Sequence, residues 1–261
     1  MNAALFVAKT GMSAQDTALR TISNNLANVN TDGFKRDRAV FEDLLYQVQR
    51  QPGAQSSEST ELPSGYQLGS GVRTVGTQKL FTQGTLEITE QNLDVAIQGR
   101  GFLQFSTPDG EIGYSRHGQL QLNSNGDLVN AQGFLLEPQI TIPQDTTSLT
   151  IGIDGVVSVT QASTGTATQI GQIQLADFTN PGGLLAVGGN LYKETTSSGA
   201  PTVTNPNSDG LGSTVQGALE NSNVNSVEEL VNMISTQRAF EMNSKVISTA
   251  DQMLSFVTQQ L

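Results

Sequence analysis

The chain has 261 residues, a formal net charge of −11, one histidine, and neither cysteine nor tryptophan. Missing cysteine excludes a disulfide scaffold, thiol catalysis and cysteine-built zinc sites, and a single histidine excludes centres that need several imidazoles. With 13 Lys and Arg against 24 acidic residues, a phosphate-binding surface of clustered cations is excluded too, so no nucleic-acid partner is expected.

Ser, Thr, Asn and Gln together number 94 and Gly 27, which calls for many turns and hydrogen-bonded edges. The longest apolar run, Ala3 to Ala8, is far below the roughly 20 residues of a membrane-spanning helix, so no direct membrane insertion is expected. No cation precedes Lys9, so this run does not read as a cleavable secretory signal either. Elimination favours a structural or binding protein over an enzyme.

Residues 3–29 predict a helix with a heptad seam. Leu5, Met12, Leu19 and Leu26 stand seven apart, with Ala8, Gln15, Ile22 and Val29 three residues after each. Gly11 lies inside this helix at a cost of about 1 kcal/mol relative to Ala, either tolerated or marking a close neighbour. The helix should end in the run Asn24-Asn25-Leu26-Ala27-Asn28-Val29-Asn30, with Gly33 free to take a left-handed cap.

Residues 31–70 read as a linker. Val40, Phe41, Leu44, Leu45 and Val48 predict a short helix over Asp37–Arg50, and Gln51 to Ser64, polar with two prolines, predicts an extended or flexible loop.

From about residue 71 to 224 the pattern changes to strands. They are expected over residues 85–89, 93–98, 102–106, 119–123, 148–153, 156–160 and 170–178, with turns such as Asn125-Gly126 and Asp154-Gly155 between them. This predicts an all-β sandwich or open barrel. Gln83-Gly84-Thr85-Leu86-Glu87 is echoed by Gln216-Gly217-Ala218-Leu219-Glu220, which suggests that the chain enters and leaves the β region by similar edges, unless the match is chance.

A second long helix is expected from Ser226, where Ser226 and Glu229 suggest a capping box, to the last residue. Met233, Phe240, Ile247, Leu254 and Leu261 form its seam, with Thr236, Asn243, Ala250 and Val257 at the companion positions. The fold class is therefore α+β. Segments 1–30 and 225–261 form a coiled-coil core, and 71–224 forms a β-rich domain. Paired alone, two such helices leave much apolar surface in water, when burying each Leu or Phe is worth about 1.5–3 kcal/mol. That deficit points to packing against other copies; a two-helix stalk docked on the chain's own β domain is the plainer alternative.

Catalytic patterns are weak throughout. Gly99-Arg100-Gly101 is followed by an expected strand rather than a helix, so it reads as a tight turn and not a dinucleotide fingerprint. His117 lacks a nucleophile elbow. Glu87, Glu90 and Asp94 could serve a glycosidase, but there is no tryptophan to stack on sugar and the cluster fits no calcium loop. No catalytic residue, cofactor or metal ligand is assigned.

The terminal motifs resemble the signature of the bacterial flagellar rod and hook proteins. They comprise Thr10 to Gln15, then Ile22-Ser23-Asn24-Asn25-Leu26-Ala27-Asn28-Val29-Asn30-Thr31-Asp32-Gly33-Phe34-Lys35-Arg36. At the far end Ser222 to Asn225, Glu228 to Leu230, Gln237-Arg238-Ala239-Phe240-Glu241, Asn243 to Lys245 and Asp251 to Leu254 are similar too, with Phe240 where the family commonly has Tyr. The middle is most similar to distal-rod members, through Gln51-Pro52-Gly53-Ala54-Gln55-Ser56-Ser57, Gly71 to Arg73, Asp94 to Phe102 and Ser198 to Pro201.

The resemblance implies a non-enzymatic subunit of a helical tube that transmits motor torque to the hook. Its terminal helices would form an inner core, held by Leu5, Met12, Leu19, Ile22, Leu26, Met233, Phe240, Ile247, Leu254 and Val257. Gln51, Pro52, Gly53, Ser56 and Ser57 would belong to a stretch that keeps the tube straight. Implied partners are copies of itself, proximal rod proteins, the hook protein, the flagellar ring proteins and the type III export apparatus, which takes an uncleaved N-terminal signal. Implied location is the basal body from periplasm to outer membrane. Another rod or short hook-type subunit is the near alternative; a secreted β-rich polysaccharide-binding protein or hydrolase is the remote one.

Overall fold

The structure is a computed structural model that describes the backbone of residues 3–53, 55–57, 60–61, 63–162 and 165–259, and side chains over 3–53, 63–162 and 165–256. It is α+β, with one long helix at each end of the chain and antiparallel strands between. The chain divides into two compact units, one of residues 1–27, 37–79 and 225–261, the other of 28–36 and 80–224.

In the first unit, α1 (Ala3–Ala27) lies antiparallel to α2 (Ser226–Gln259). Gly11 faces Asn243 and Asn25 faces Glu229, so both contacts join positions that obey one register. The N-cap of α2 is Asn225, whose Oδ1 accepts from the backbone N–H of Val227 at 3.0 Å and of Glu228 at 3.3 Å. That displaces the expected Ser226–Glu229 box by one residue. Asn caps as well as Ser does, and the Glu229 carboxylate is used elsewhere, against Asn25.

The helix expected over Asp37–Arg50 is replaced by strands, and residues 37–79 form a ribbon rather than a linker. Asp37–Asp43 pairs with Val72–Lys79, Tyr46–Arg50 with Tyr66–Gly69, and Gln55–Ser57 with Thr60–Glu61, all antiparallel. Bulges interrupt the register at Val40/Phe41, Val48/Arg50 and Gln55/Ser57. The spacing of Val40, Leu44 and Val48 is that of a helix, but Val, Phe and Tyr suit a pleated surface, and a cross-strand partner of matching length lies downstream. Pairing and docking on α1 then outweigh helix propensity, which is weak over so short a segment.

The second unit is built of antiparallel sheets. Its largest sheet runs Gln121–Leu122, Leu128–Val129, Leu135–Glu137, Leu103–Ser106, Ile112–Ser115, Leu191–Lys193, Leu185–Gly188. A three-stranded meander, Thr146–Ile151, Val156–Gln161 and Ala167–Gln172, packs with it around a core that includes Ile97, Phe105, Leu136, Val157 and Ile173. A second cluster is aromatic: Phe81, Phe102, Tyr114, Phe178 and Tyr192 meet edge to face, with centroids 4.8–6.1 Å apart. Burial there pushes the Tyr114 phenol up to about 12.

The sequence echo has a structural counterpart. Leu86–Ile88 pairs with Ala218–Glu220, so the chain enters and leaves this unit side by side. The two glutamines also act alike. Gln83 accepts from Gly99 N–H and donates to Ile97 O; Gln216 accepts from Ile151 N–H and donates to Leu149 O. Each amide thus stands in for a neighbouring strand residue, satisfying an edge N–H and a C=O two residues apart.

Candidate assembly interface

On α1, Ile22 is buried and Leu5, Met12, Leu19 and Leu26 are half-buried; on α2, Met233, Phe240 and Ile247 are half-buried. The small and polar companions, Ala8 and Ala250 buried, Gln15, Thr236 and Asn243 half-buried, complete the shared face. Leu254 departs from it, 47% exposed, because the register set by Gly11 and Asn243 carries it past the first described residue of α1. The backbone of Val257 is in α2, but its side chain lies outside the described residues.

A second apolar stripe escapes the heptad reading. Val227, Val231, Ile234, Met242, Val246, Met253 and Phe256 are all exposed on α2 and recur at the 3.6-residue period of a straight helix. Their signal in the sequence is a run of apolar residues at helical spacing outside the heptad positions. The ribbon carries another uncovered set, Leu45 at 89% exposure with Tyr46, Val48, Tyr66 and Leu68. Exposed large apolar side chains gathered on one face in this way point to an interaction site.

The signature residues have separate tasks. Asn24 is exposed, whereas Asn25 is buried, its Nδ2 donating to Asp37 O and its Oδ1 accepting from Asp37 N–H, both at 2.8 Å. Ala27 ends α1. Asn28 Oδ1 accepts from Thr31 Oγ1, and Phe34 N–H donates to Thr31 O, closing a turn. Gly33 has φ +71°, and a Cβ there would come within 2.7 Å of the His117 backbone nitrogen, so only glycine fits. Arg238 and Glu241 are exposed on α2.

Gln51, Pro52 and Gly53 form an exposed turn in the ribbon, with Gly53 at φ +77°. Ser56 and Ser57 lie in a paired strand, their side chains outside the described residues.

Sequence reasoning missed one buried polar centre altogether. Glu220 takes Lys35 Nζ at 2.5 Å and Gly84 N–H at 2.9 Å on one oxygen, and Arg116 at 3.4 Å on the other. Lys35 also donates to Thr82 O, and Arg116 to Gly99 O while its guanidinium lies 5.4 Å from the Phe102 ring centroid. Burial lowers the pKa of Lys35 and of Arg116, and the Glu220 charge opposes the shift in both. Beside it Asn223 accepts from Arg36 N–H and donates to Leu80 O. This network fastens residues 28–36 and 220–224 to the strands of the second unit.

The groups with catalytic associations do not converge. Asp94 is buried and accepts from Thr89 Oγ1, Glu87 accepts from Asn221 Nδ2, and Glu90 sits at a φ of +58°. A groove of about 780 Å³ reaches Asp94, but its other polar walls are neutral, including Gln91, Gln119, Gln121, Asn123 and Gln144. His117 is half-buried, and burial lowers its pKa. Among the described residues there is no group of acidic and histidine side chains placed to hold a metal, and no helix is long and apolar enough to cross a membrane.

Long terminal helices with uncovered apolar faces on either side of a β-rich centre mark the class of proteins that assemble with other chains. Three family models agree with that class: flagella basal body rod protein over residues 5–35, flagellar hook protein FlgE/F/G D1 domain over 96–159, and flagellar basal body rod FlgEFG protein C-terminal over 215–260.

Relatives are similar along nearly the whole chain. The flagellar basal-body rod protein FlgG of Buchnera aphidicola subsp. Schizaphis graminum is 53% identical, covering 98% of both chains. Those of Caulobacter vibrioides and Bacillus subtilis are 47% identical over 98% of both and 36% identical over 96% of both. The chain belongs to the FlgG family of flagellar basal-body rod proteins.

Proposed function

We propose that the chain is a structural subunit of the bacterial flagellar rod, in its distal part, which polymerises with copies of itself into a tube that carries motor torque to the hook. The observation that carries this reading is the apolar stripe of Val227, Val231, Ile234, Met242, Val246, Met253 and Phe256, exposed on a helix already paired along another face. At about 1.5–3 kcal/mol for each large apolar side chain fully buried, covering that stripe favours association strongly. Full-length similarity to rod proteins supports the same conclusion.

In this account α1 and α2 form a coiled-coil core in which seams from many copies adjoin, and the ribbon with Gln51 to Ser57 adds contacts that keep the tube straight. The work is mechanical. Repeated contacts share the load, and no residue is assigned a catalytic step, a cofactor or a metal. Proximal rod proteins, the hook protein, the ring proteins and the export apparatus are the other partners, along a path from periplasm to outer membrane.

Basal bodies purified from a strain lacking this chain test the proposal. Rods that stop short, without hooks, and are restored by the plasmid-borne gene are the expected result. Full-length rods bearing hooks in its absence would refute the assignment.

A further inference from the structure

The first unit holds its ribbon against α1 at two places. At one end Asn25, 1% exposed, brackets the backbone of Asp37 as a strand partner would, accepting from its N–H and donating to its C=O, both at 2.8 Å. Asp37 is where the ribbon begins and is paired with Lys79, whose ammonium donates to the Asp37 carboxylate at 2.9 Å. At the other end Thr10 Oγ1 accepts from Val72 N–H at 3.4 Å, and Gly71 lies so near that a Cβ would run into that same hydroxyl.

The spans match. From Thr10 to Asn25 the helix rises about 22 Å, and from Val72 to Lys79 a strand advances about 23 Å. The proximal ribbon is therefore splinted along α1 without slack, while the pair Tyr46–Arg50 and Tyr66–Gly69, with exposed Leu45, Tyr46, Val48, Tyr66 and Leu68, continues beyond the Thr10 anchor.

We propose that Asn25 is the positioning residue that aims the ribbon, fixing its axis on α1 and so the direction in which the apolar distal half projects. The two anchors differ in kind. Thr10, half-buried, offers one contact at 3.4 Å, which a small rotation would break, whereas Asn25, itself buried, satisfies both the donor and the acceptor of one residue at 2.8 Å. Two bonds from a planar amide to one residue fix angle as well as distance. Glu229 backs the amide, accepting from the same Nδ2 at 3.4 Å, so α2 also holds Asn25 in place. That the aim matters for contacts between copies rests on the rod reading above; the aim itself does not.

The test uses the full-length chain, whose lack of cysteine allows spin labels at Ser13→Cys on α1 and Gln67→Cys on the distal ribbon. The parent should give one narrow interlabel distance and a slowly exchanging Asp37 amide. Asn25→Ala should broaden or shift the distance and speed Asp37 exchange at least about tenfold, with helical circular dichroism retained. Asn25→Asp made together with Glu229→Gln, which keeps the acceptor, loses the donor and avoids two facing carboxylates, should leave the Asp37 amide protected yet widen the distance; Ser23→Ala, an exposed neighbour, should match the parent. A parent-like distance in that double variant, or in a folded Asn25→Ala, overturns the proposal. Both readouts come from the isolated chain, so they stand apart from whether the chain is found in rods.

Discussion

Asn243 of α2 seats its side-chain amide over Gly11 of α1, so close that a Cβ on Gly11 would lie 3.1 Å from Nδ2. Glycine in mid-helix is thus repaid by close approach of the two helices. Gly11→Ala should be nearly neutral, since the gain of about 1 kcal/mol in helix propensity offsets a contact that the amide can relieve by shifting. Gly11→Leu should destabilise the helix pair by about 1–3 kcal/mol through overpacking. Thermal melts followed by helical circular dichroism distinguish the two; equal midpoints for both variants would contradict the contact.

Removing Glu220 strands two buried cations, so Glu220→Ala should cost about 3–5 kcal/mol in urea unfolding of the second unit. Glu220→Gln, which keeps an acceptor for Gly84 N–H, should lose less. Both variants should loosen residues 28–36 and 220–224, seen as faster exchange at the Gly33 amide, which donates to Glu220 O.

His117 makes stability depend on pH. Burial holds its folded pKa below the ordinary 6.5, so the unfolded chain takes up the proton first. Its contribution is complete above pH 6.5 and is lost as pH falls from there through the lowered folded value. Urea midpoints measured between pH 7.5 and 5.5 should decline, and His117→Asn should flatten that part of the curve.

The paired glutamines predict matching local defects. Gln216→Ala deprives Ile151 N–H of its acceptor and Gln83→Ala does the same to Gly99 N–H, each at a cost of about 1–3 kcal/mol. Amide exchange should rise at Ile151 in the first variant and at Gly99 in the second, each sparing the other site.

How far the sequence is legible depends on how local the cause is. Both long helices follow from heptads repeated over many turns, and seven expected strands lie within a few residues of observed ones, because runs such as Val156 to Thr160 carry their pattern in themselves. Short strands such as Leu128–Val129 and Leu191–Lys193 went unseen, since two or three residues have no period to read. The ribbon differs from the expected helix for the opposite reason: Asp37–Asp43 owes its form to Val72–Lys79, some thirty residues on. Lys35, Arg116 and Glu220 converge from three distant points of the chain, beyond the reach of any local motif. Asn25, Gly33 and Phe34 were visible as a signature, but their physical tasks needed the fold.

Deleting Gln51 to Ser64 should give curved or unstable rods, if this part of the ribbon bridges copies as proposed. Electron micrographs of basal bodies from the deletion strain check it; straight, normally rotating rods would remove the role.

As a rod subunit, this chain would build the rod's wall. Helical reconstruction by electron cryomicroscopy of rods isolated from cells that make it is the most direct test. Density for this chain is expected along the distal rod, with Val231, Ile234, Met242 and Val246 of α2 buried against helices of neighbouring copies. Absence of the chain from that density, or an α2 whose apolar stripe faces solvent within it, would overturn the rod assignment.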